Sequence, residues 1–219
     1  MIRVGADEAG KGPVLGPMVA AAVRADSATL PDGIDDSKRV PVGRRETIAA
    51  TLRERDDVTV GLGVVSTERI DDPETDMNSL TVAAQVEAVA AVARGGDTVV
   101  VDAGDVSEVR FGRRVREGVA AAGVDIDVVS EHGADESHLV VGAASIVAKV
   151  ERDARIEAIA ETYADDGSVG SGYPSDPKTR EFLKRYVAEH GALPDCARRS
   201  WSTCADLLAA NEQSSLAEF

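Results

Sequence analysis

Residues 2–13 constrain the fold more than any other part of the chain. A short run typical of a β-strand ends in two adjacent carboxylates, Asp7 and Glu8, and the turn Gly10-Lys11-Gly12-Pro13 follows at once. Adjacent carboxylates repel each other, so a fold rarely places them at a strand end without a cation to share. Glycines around a lysine let backbone N–H groups and an ammonium approach a phosphate closely. The segment predicts metal ligands beside a phosphate-binding turn, and the alternative is a plain acidic turn after a strand.

The charge balance is strongly acidic. The 219 residues include 39 acidic and 24 basic residues, a formal net charge of −15, and only five of the basic residues are lysine. Acidic pairs recur along the chain, as at Asp56-Asp57, Asp71-Asp72 and Asp165-Asp166. This charge argues against a nucleic-acid partner at ordinary salt, because phosphate binders are normally basic. The distributed acids instead indicate adaptation to molar salt, where a Debye length of about 3 Å screens repulsion from a polyanion.

Size and cysteine content bound the class of protein. A chain of 219 residues with 43% hydrophobic content is long enough for one large domain, with or without a smaller appendage. It has no apolar run that would span a membrane and no evident secretory signal. Cys196 and Cys204 lack the spacing of a zinc site. We therefore expect a reduced, cytoplasmic protein.

The hydrophobic pattern predicts a mixed α/β sheet followed by helices. Strands are expected at 2–7, 17–24, 58–65, 98–101 and 126–129. Helices are expected at 82–93 and 106–122, and then at 141–163, 177–190 and 199–211. Three early strands followed by alternating helix and strand favour a mixed sheet flanked by helices. The predicted divisions are a core at 1–138, a C-terminal helical region at 139–212 and a flexible tail at 213–219.

Several carboxylates fall near predicted strand ends. Asp7 ends the first strand, Asp102 ends a central strand and Asp135 follows the last strand. Neighbouring strand ends lie close in space, so these acids can converge, and carboxylate oxygens are the ligands that hard divalent cations prefer. Glu8 raises a difficulty, since successive strand residues face opposite sides of a sheet. We expect the strand to break or bulge there, as Gly10 permits, so that Asp7 and Glu8 reach one site.

Five segments resemble, in the right order, the ribonuclease HII family, the type 2 ribonucleases H. They are D-E-A-G-K-G-P-V-L-G-P-M-V from residue 7, D-S-K from 36, V-V-V-D-A from 99, the stretch 134–149, and G-S-G-Y-P-S-D-P from 170, which looks like the archaeal branch. The resemblance covers roughly residues 2 to 205. It implies a ribonuclease H-like fold in which the region 139–212 completes the substrate cleft. Lys11 stands where the family usually has Arg.

The resemblance also implies an activity and a metal site. The expected enzyme is an endoribonuclease that hydrolyses RNA in RNA/DNA hybrids and at ribonucleotides embedded in duplex DNA. It would use two Mg²⁺ or Mn²⁺ ions and leave 5′-phosphate and 3′-hydroxyl ends. The catalytic, metal-binding residues would be Asp7, Glu8, Asp102 and Asp135.

The surroundings of Asp135 depart from the family pattern. Relatives often have Lys at the position of Gly133, and Asp105 and Glu136 are nearby alternatives as ligands. The implied mechanism needs no histidine nucleophile. His132, His138 and His190 are therefore expected to be surface or structural residues.

Recognition of the ribose would fall to the glycine turn and to a tyrosine. In the family the turn reads the 2′-hydroxyl through its backbone and a Tyr stacks on the sugar, which corresponds here to Gly10, Lys11, Gly12 and Tyr173. Lys11 keeps the positive charge of Arg but loses its planar fork. The alternative for Tyr173 is a position in the hydrophobic core. Further contacts to the strand backbones are expected from Lys38, Asn78, Ser145, Lys149, Arg198 and Arg199. A solvated helix start is the alternative for both arginines.

The last seven residues, Q-S-S-L-A-E-F, fit Q-x-x-L-x-x-F and resemble the sliding-clamp-binding box of archaeal replication and repair proteins. One helical turn places Leu216 and Phe219 on one face, where they would plug an apolar pocket while Gln213 hydrogen-bonds beside it. The usual second aromatic is absent, and the alternative is a frayed polar tail. We expect a monomer whose partners are RNA/DNA hybrids, ribonucleotide-containing duplex DNA and, through this tail, a sliding clamp.

Two other functions stay open. A related metal-dependent nuclease of the same fold, such as a Holliday-junction nuclease or transposase, would not need the turn at 10–12 together with Tyr173. A non-catalytic hybrid-binding protein would not need all four acids.

Overall fold

The structure is a computed structural model that describes residues 1–34 and 40–216, with side chains described up to residue 213. Its strands are β1 (Ile2–Ala9), β2 (Met18–Asp26), β3 (Thr59–Val65), β4 (Thr98–Asp102) and β5 (Asp127–Glu131). Its helices are α1 (Val42–Glu54), α2 (Thr67–Ile70), α3 (Met77–Ala90), α4 (Glu108–Ala121), α5 (Ala134–Ser137), α6 (Leu139–Thr162), α7 (Pro177–His190) and α8 (Ser202–Leu216). None of the described helices is both long and apolar enough to cross a membrane.

Some sequence predictions fall outside the described residues. The Asp36-Ser37-Lys38 motif lies there, as do Phe219 and the side chain of Leu216. The substrate contact of Lys38 and the clamp contacts of Leu216 and Phe219 therefore stay predictions.

The five strands form one mixed sheet in the order β3-β2-β1-β4-β5. β2 pairs antiparallel with both β1 and β3, whereas β4 pairs parallel with both β1 and β5. This order confirms the predicted mixed sheet flanked by helices, and it places β1 and β4 side by side at the centre. Parallel neighbours end at the same edge of the sheet, which brings their C-terminal residues together.

Helix α6 covers one face of the sheet. Gly5 of β1 lies so close to the backbone of Val140 and Val141 in α6 that a Cβ at this position would overlap it. Side chains two residues apart along a strand share a face. Asp7 therefore belongs to the face that α6 covers.

Helix α3 covers the opposite face, to which Glu8 belongs. Glu8 pairs with Ala20 of β2, and Ala20 pairs with Gly63 of β3. A Cβ on Gly63 would overlap the backbone of Ala84 in α3. Because paired residues share a face, Glu8 lies on the side of the sheet that α3 covers.

The expected break in β1 is not found. Pairing with β2 continues without interruption through Glu8 to Ala9, which lies opposite Val19. The strand ends only at Gly10, whose φ of 89° is in the left-handed region. The prediction of a bulge at the two acids was wrong. No bulge is needed, because both acids lie near the end of the strand, where side chains on opposite faces of the sheet can both reach its edge.

The chain divides into two compact units. Unit 1 comprises Met1–Lys11, Met18–Val65 and Asp76–Arg152, and unit 2 comprises Gly12–Pro17, Ser66–Thr75 and Asp153–Phe219. The predicted boundary before residue 139 differs from this division, which falls inside α6. The first half of that helix packs on the sheet, with Val140, Val141 and Val147 in the same buried cluster as sheet residues.

Unit 2 has its own small core. Phe182 and Leu183 of α7 are buried with Val14 and Leu15 of the early segment. The segment 12–17 is fixed by backbone bonds, since Val14 N–H donates to the Gly172 carbonyl at 2.8 Å and Gly16 N–H to the Cys196 carbonyl at 2.8 Å. Cys196 and Cys204 are buried free thiols in this core.

Candidate active site

Strand register places Asp7 and Asp102 side by side. Ala6 of β1 pairs with Val101 of β4, so the next residue of each strand is an aspartate at the same edge of the sheet. Asp7 is only 5% exposed. Its burial, followed by the charge of Asp102, raises the pKa of the Asp7 carboxyl to about 6. A buried carboxylate beside a second one is the electrostatic situation that a bound cation relieves.

Asp7 is held by groups from its own strand and from α6. The Glu8 backbone N–H donates to Asp7 Oδ1 at 2.7 Å. Ser145, which is fully buried, hydrogen-bonds the Asp7 carboxylate and accepts from Lys149 Nζ at 2.7 Å. The Ser145 bond and the Lys149 charge both lower the pKa of Asp7. Ser145 and Lys149, which were predicted to contact the substrate, thus interact with Asp7 in the structure. The burial of Ser145 favours a role in holding Asp7.

Glu8 is held from the other face of the sheet. Gln85 of α3 donates its amide Nε2 to Glu8 Oε2 at 2.7 Å. Burial, followed by the charge of Asp7, raises the pKa of the Glu8 carboxyl to about 8. The Gln85 bond and the Lys11 charge oppose that rise. Glu8 is therefore coupled electrostatically to Asp7, although the two side chains leave the strand on opposite faces.

A loop joins Asp135 to the same strand edge. The backbone N–H of Ala134, at the start of α5, donates to Asp102 Oδ1 at 2.9 Å. Gly133 precedes it with a φ of 66°, a left-handed conformation that favours glycine. Asp135 itself is 7% exposed. Asp135 is thus connected to the other acids through its neighbour Ala134, which bonds Asp102.

The two alternative acids are engaged or exposed. Asp105 forms a bidentate pair with Arg110 at 2.9 and 2.6 Å, and this pairing holds the pKa of the Asp105 carboxyl below its usual range. Glu136 is exposed to solvent. A carboxylate that already pairs with a guanidinium is a poor cation ligand, so Asp135 is a better fourth ligand than Asp105.

The histidines contact other groups of the protein. His132 Nε2 lies 2.7 Å from the Asp105 carbonyl, His138 Nε2 lies 2.9 Å from Glu131 Oε2, and His190 Nε2 lies 3.1 Å from Asp166 Oδ1. These contacts fit the structural or surface roles predicted for them. Asp166, His190 and Glu189 also place ligand atoms within 4.8 Å of one another in unit 2. Asp166 is half-buried while Glu189 and His190 are exposed, and because such acidic groups commonly occur without an ion, no metal is assigned to them.

The glycine turn packs on the loop that follows β4. Lys11 Nζ donates to the Gly104 carbonyl. A Cβ on Gly104 would lie 3.1 Å from Glu8 Oε1 and 2.7 Å from the Thr81 methyl. The loop after β4 is therefore fitted closely against the Glu8 carboxylate, and Lys11 of the turn bonds to that loop.

Unit 2 brings together the two remaining residues of the expected ribose site. A Cβ on Gly12 would lie 4.0 Å from Tyr173 Cε1. Tyr173 is 41% exposed, so a core position is excluded for it. Trp201, which the sequence did not single out, donates Nε1–H to the Gly12 carbonyl at 3.3 Å. An exposed tyrosine ring beside a glycine backbone is suited to stacking on a sugar or base.

The other predicted contacts differ in exposure. Arg198 is fully buried, donates Nε–H to the Gly16 carbonyl at 2.9 Å and lies 5.0 Å from the Trp201 ring centroid. This burial favours a structural role over the predicted contact with nucleic acid. Arg199 is exposed and lies 3.6 Å from Asp195. Asn78 is half-buried on the first turn of α3, on the helix face that Gln85 continues two turns later.

The donor set at the strand edge fits a hard divalent cation. Its ligand atoms are carboxylate oxygens, which Mg²⁺ and Mn²⁺ prefer. Burial, followed by the charge of a neighbouring carboxylate, raises the pKa values of Asp7 and Glu8, and the nearby Lys149 and Lys11 only partly oppose the rise.

Comparisons with known proteins agree on one family. The profile described as Ribonuclease HII matches residues 4–204. A Ribonuclease HII from Haloarcula marismortui is 58% identical over 218 residues, covering 100% of both chains. The ribonuclease H2 of Pyrococcus horikoshii OT3 superposes with a TM-score of 0.85 at 34% identity, covering 97% of this chain and 100% of that one. The ribonuclease HII of Archaeoglobus fulgidus, solved in complex with PCNA, superposes with a TM-score of 0.81 at 37% identity, covering 92% and 96%. The chain belongs to the ribonuclease HII family.

Proposed function

We propose that this ribonuclease H cleaves RNA in hybrids, and single ribonucleotides within duplex DNA, at the edge formed by β1 and β4. The observation that carries the proposal is the meeting of Asp7, Glu8 and Asp102 at that edge, where burial and mutual repulsion raise the pKa of the first two. Asp135 would complete the donor set from the loop after β5. Two Mg²⁺ or Mn²⁺ ions, when bound there, would activate the attacking water and stabilise the departing 3′ oxygen, giving 5′-phosphate and 3′-hydroxyl ends.

The chain's own residues orient these acids. The Glu8 N–H and Ser145 fix the Asp7 carboxylate on one face, while Gln85 fixes Glu8 on the other. Lys11 adds positive charge beside Glu8, which favours its ionised form and would attract a phosphate. Groups held in this way need little reorganisation when a substrate arrives.

Ribose recognition is proposed for the turn and Tyr173. Gly12 is exposed, its carbonyl accepts from Trp201 Nε1–H, and the Tyr173 ring lies beside it. Backbone groups of Gly10, Lys11 and Gly12 would read the 2′-hydroxyl, and Tyr173 would stack on the sugar. Lys11 would supply a point charge where an Arg would supply a fork.

Clamp binding is proposed for the C-terminal tail. The Archaeoglobus fulgidus protein was solved with PCNA, and this chain ends in Q-S-S-L-A-E-F. Helix α8 extends to Leu216, so Gln213 is part of a helical segment. Removing residues 213–219 should abolish clamp binding measured by calorimetry at molar salt and leave clamp-free hydrolysis intact. If the full-length protein does not bind the clamp, the tail is only a frayed helix end.

The decisive experiment uses a DNA duplex that contains one ribonucleotide. We expect cleavage that depends on Mg²⁺ or Mn²⁺, stops with chelator, and yields 5′-phosphate and 3′-hydroxyl ends. The all-DNA duplex of the same sequence is the control and should stay intact. Cleavage of both duplexes at equal rates would assign the chain to the DNA nucleases of this fold.

A further inference from the structure

Gln85 is an unusual residue for its position in α3. It is fully buried, as are its helix neighbours Ala84, Ala88 and Val89, which are apolar. Burying a primary amide among apolar groups is unfavourable unless the amide is hydrogen-bonded. Its place in the helix is therefore explained by its partners.

The Gln85 amide joins the ends of the two central strands. Nε2 donates to Glu8 Oε2 at 2.7 Å and to the Asp102 backbone carbonyl at 3.0 Å. Both partners are acceptors, so the amide must present its NH₂ group to them, which settles the orientation of the side chain. One donor group thus ties the Glu8 carboxylate of β1 to the last residue of β4.

The carbonyl end of the Gln85 amide indicates that the donated bonds explain why a glutamine is present. Gln85 Oε1 is buried and has no hydrogen-bond partner among the described residues. An unsatisfied buried acceptor is costly. The two donated bonds are therefore the reason for a glutamine here, since an apolar side chain would fill the space without this cost.

Close packing of helix α3 on its neighbours fixes the position from which Gln85 donates these bonds. The carbonyls of Ala84 and Ala88 lie against Gly63 and Gly61 of β3, where a Cβ would overlap them. One turn before Gln85, the methyl of Thr81 packs against Gly104 in the loop after β4. The helix therefore cannot shift along the sheet without disturbing both neighbours.

We infer that Gln85 is a positioning residue that holds the Glu8 carboxylate against the end of β4 in the orientation that binds a divalent ion. This inference rests on the proposed function of the strand edge. Gln85 touches neither substrate nor ion and acts through Glu8. Groups that orient a metal-binding carboxylate commonly contribute about 10- to 100-fold to metal affinity or activity.

The test compares Gln85→Met and Gln85→Asn with Val89→Ala. Gln85→Met removes both donors at similar length, and Gln85→Asn keeps the amide but shortens its reach. Both should weaken Mn²⁺ binding, measured by calorimetry without substrate, by about 10-fold or more and lower kcat with little change in KM. Val89→Ala, on the same helix, should lower Tm and leave Mn²⁺ affinity unchanged. If Gln85→Met does not fold, Gln85→Asn carries the test.

The outcomes separate this inference from the proposed function. A wild-type enzyme that neither binds Mn²⁺ nor cleaves with it overturns both. A normal wild type with Gln85 variants that keep their Mn²⁺ affinity and kcat overturns the positioning role alone. Equal losses of affinity in Val89→Ala and in the Gln85 variants would show a general stability effect and overturn it as well.

Discussion

The two units of the molecule place their functional side chains by different means. In unit 1 the acids follow from strand register, because Asp7 and Asp102 are the next residues after a parallel pair, Ala6 and Val101. In unit 2 the exposed Tyr173 and the backbone of Gly12 are set by bonds between segments far apart in the chain, such as Trp201 to Gly12. The sheet edge thus concentrates negative charge, and the helical unit exposes the tyrosine that we propose for ribose recognition.

This difference has a consequence for substitutions. A change at the sheet edge should remove chemistry and leave the fold, since the ladder that positions the acids is made of backbone bonds. A change at a buried anchor of unit 2 should affect the fold first, because the segment 12–17 depends on a few side-chain and backbone contacts.

The largest expected effect is at the sheet edge. Asp7→Asn or Asp102→Asn should reduce cleavage by a factor on the order of 10⁴ while hybrid binding persists, because a ligand is lost and the surface is not. Glu8→Gln should behave similarly, and Asp135→Asn should leave more activity. Single-turnover cleavage measures the loss, with the exposed neighbour Glu136→Gln as control. Near wild-type cleavage by Asp7→Asn in Mg²⁺ would refute the assignment of the acids.

The next effect concerns the stability of the metal-free protein against pH. The pKa of Asp7 rises from 3.8 to about 6 and that of Glu8 from 4.5 to about 8 on folding. The folded state then binds these protons more tightly, so their stabilisation is complete below about pH 4 and is lost as pH rises through 6 and 8. The slope reaches about 1.4 kcal/mol per pH unit for each group.

The Asp7→Asn, Glu8→Gln double variant isolates this effect. In chelator at molar salt, the wild type should lose Tm between pH 5 and 8 relative to the double variant, and Mg²⁺ should restore it at pH 8. Parallel Tm curves for the two proteins would show that the acids are not crowded in the folded state.

A buried and an exposed arginine test unit 2. Arg198→Ala should destabilise the protein by about 2–4 kcal/mol, because it leaves a cavity and an unsatisfied Gly16 carbonyl. Arg199→Ala should change stability by less than about 0.5 kcal/mol and weaken hybrid binding. Thermal unfolding and hybrid titration measure the two. The reverse ranking would mean that Arg198 contacts the substrate as first predicted.

The smallest effect is on discrimination between substrates. Tyr173→Ala should slow cleavage at a lone ribonucleotide about 10-fold more than cleavage of a long hybrid, where neighbouring sites compensate for poor positioning. Tyr173→Phe keeps the ring and should stay near wild type on both. Equal losses on the two substrates would assign Tyr173 a structural role.

The sequence predicted the sheet well because its strands are apolar runs bounded by glycine and proline. The placement of Asp7 and Asp102 near strand ends was predictable for the same reason, since each follows such a run. Helix α1 was not predicted, because it buries only Ile48, Ala49 and Leu52 and begins after Pro41 without a side-chain cap. Such a short apolar face gives a weak helical pattern.

The roles of residues that depend on tertiary contacts are not visible in the sequence. Gln85 looked like any polar helix residue, because burial is not visible in a single sequence. Arg198 was expected to contact the substrate or to lie at a solvated helix start, whereas it is fully buried, which is rare for arginine. The boundary between the units falls inside the continuous helix α6, and no change of composition marks such a point.

Locating a bound ion tests the central account most directly. Crystals of the protein equilibrated with Mn²⁺ should show anomalous scattering at the ends of β1 and β4, within coordination distance of Asp7, Glu8 or Asp102. The same peaks should disappear in Asp7→Asn crystals. Mn²⁺ bound at Asp166, Glu189 and His190 of unit 2, with none at the strand edge, would contradict the account.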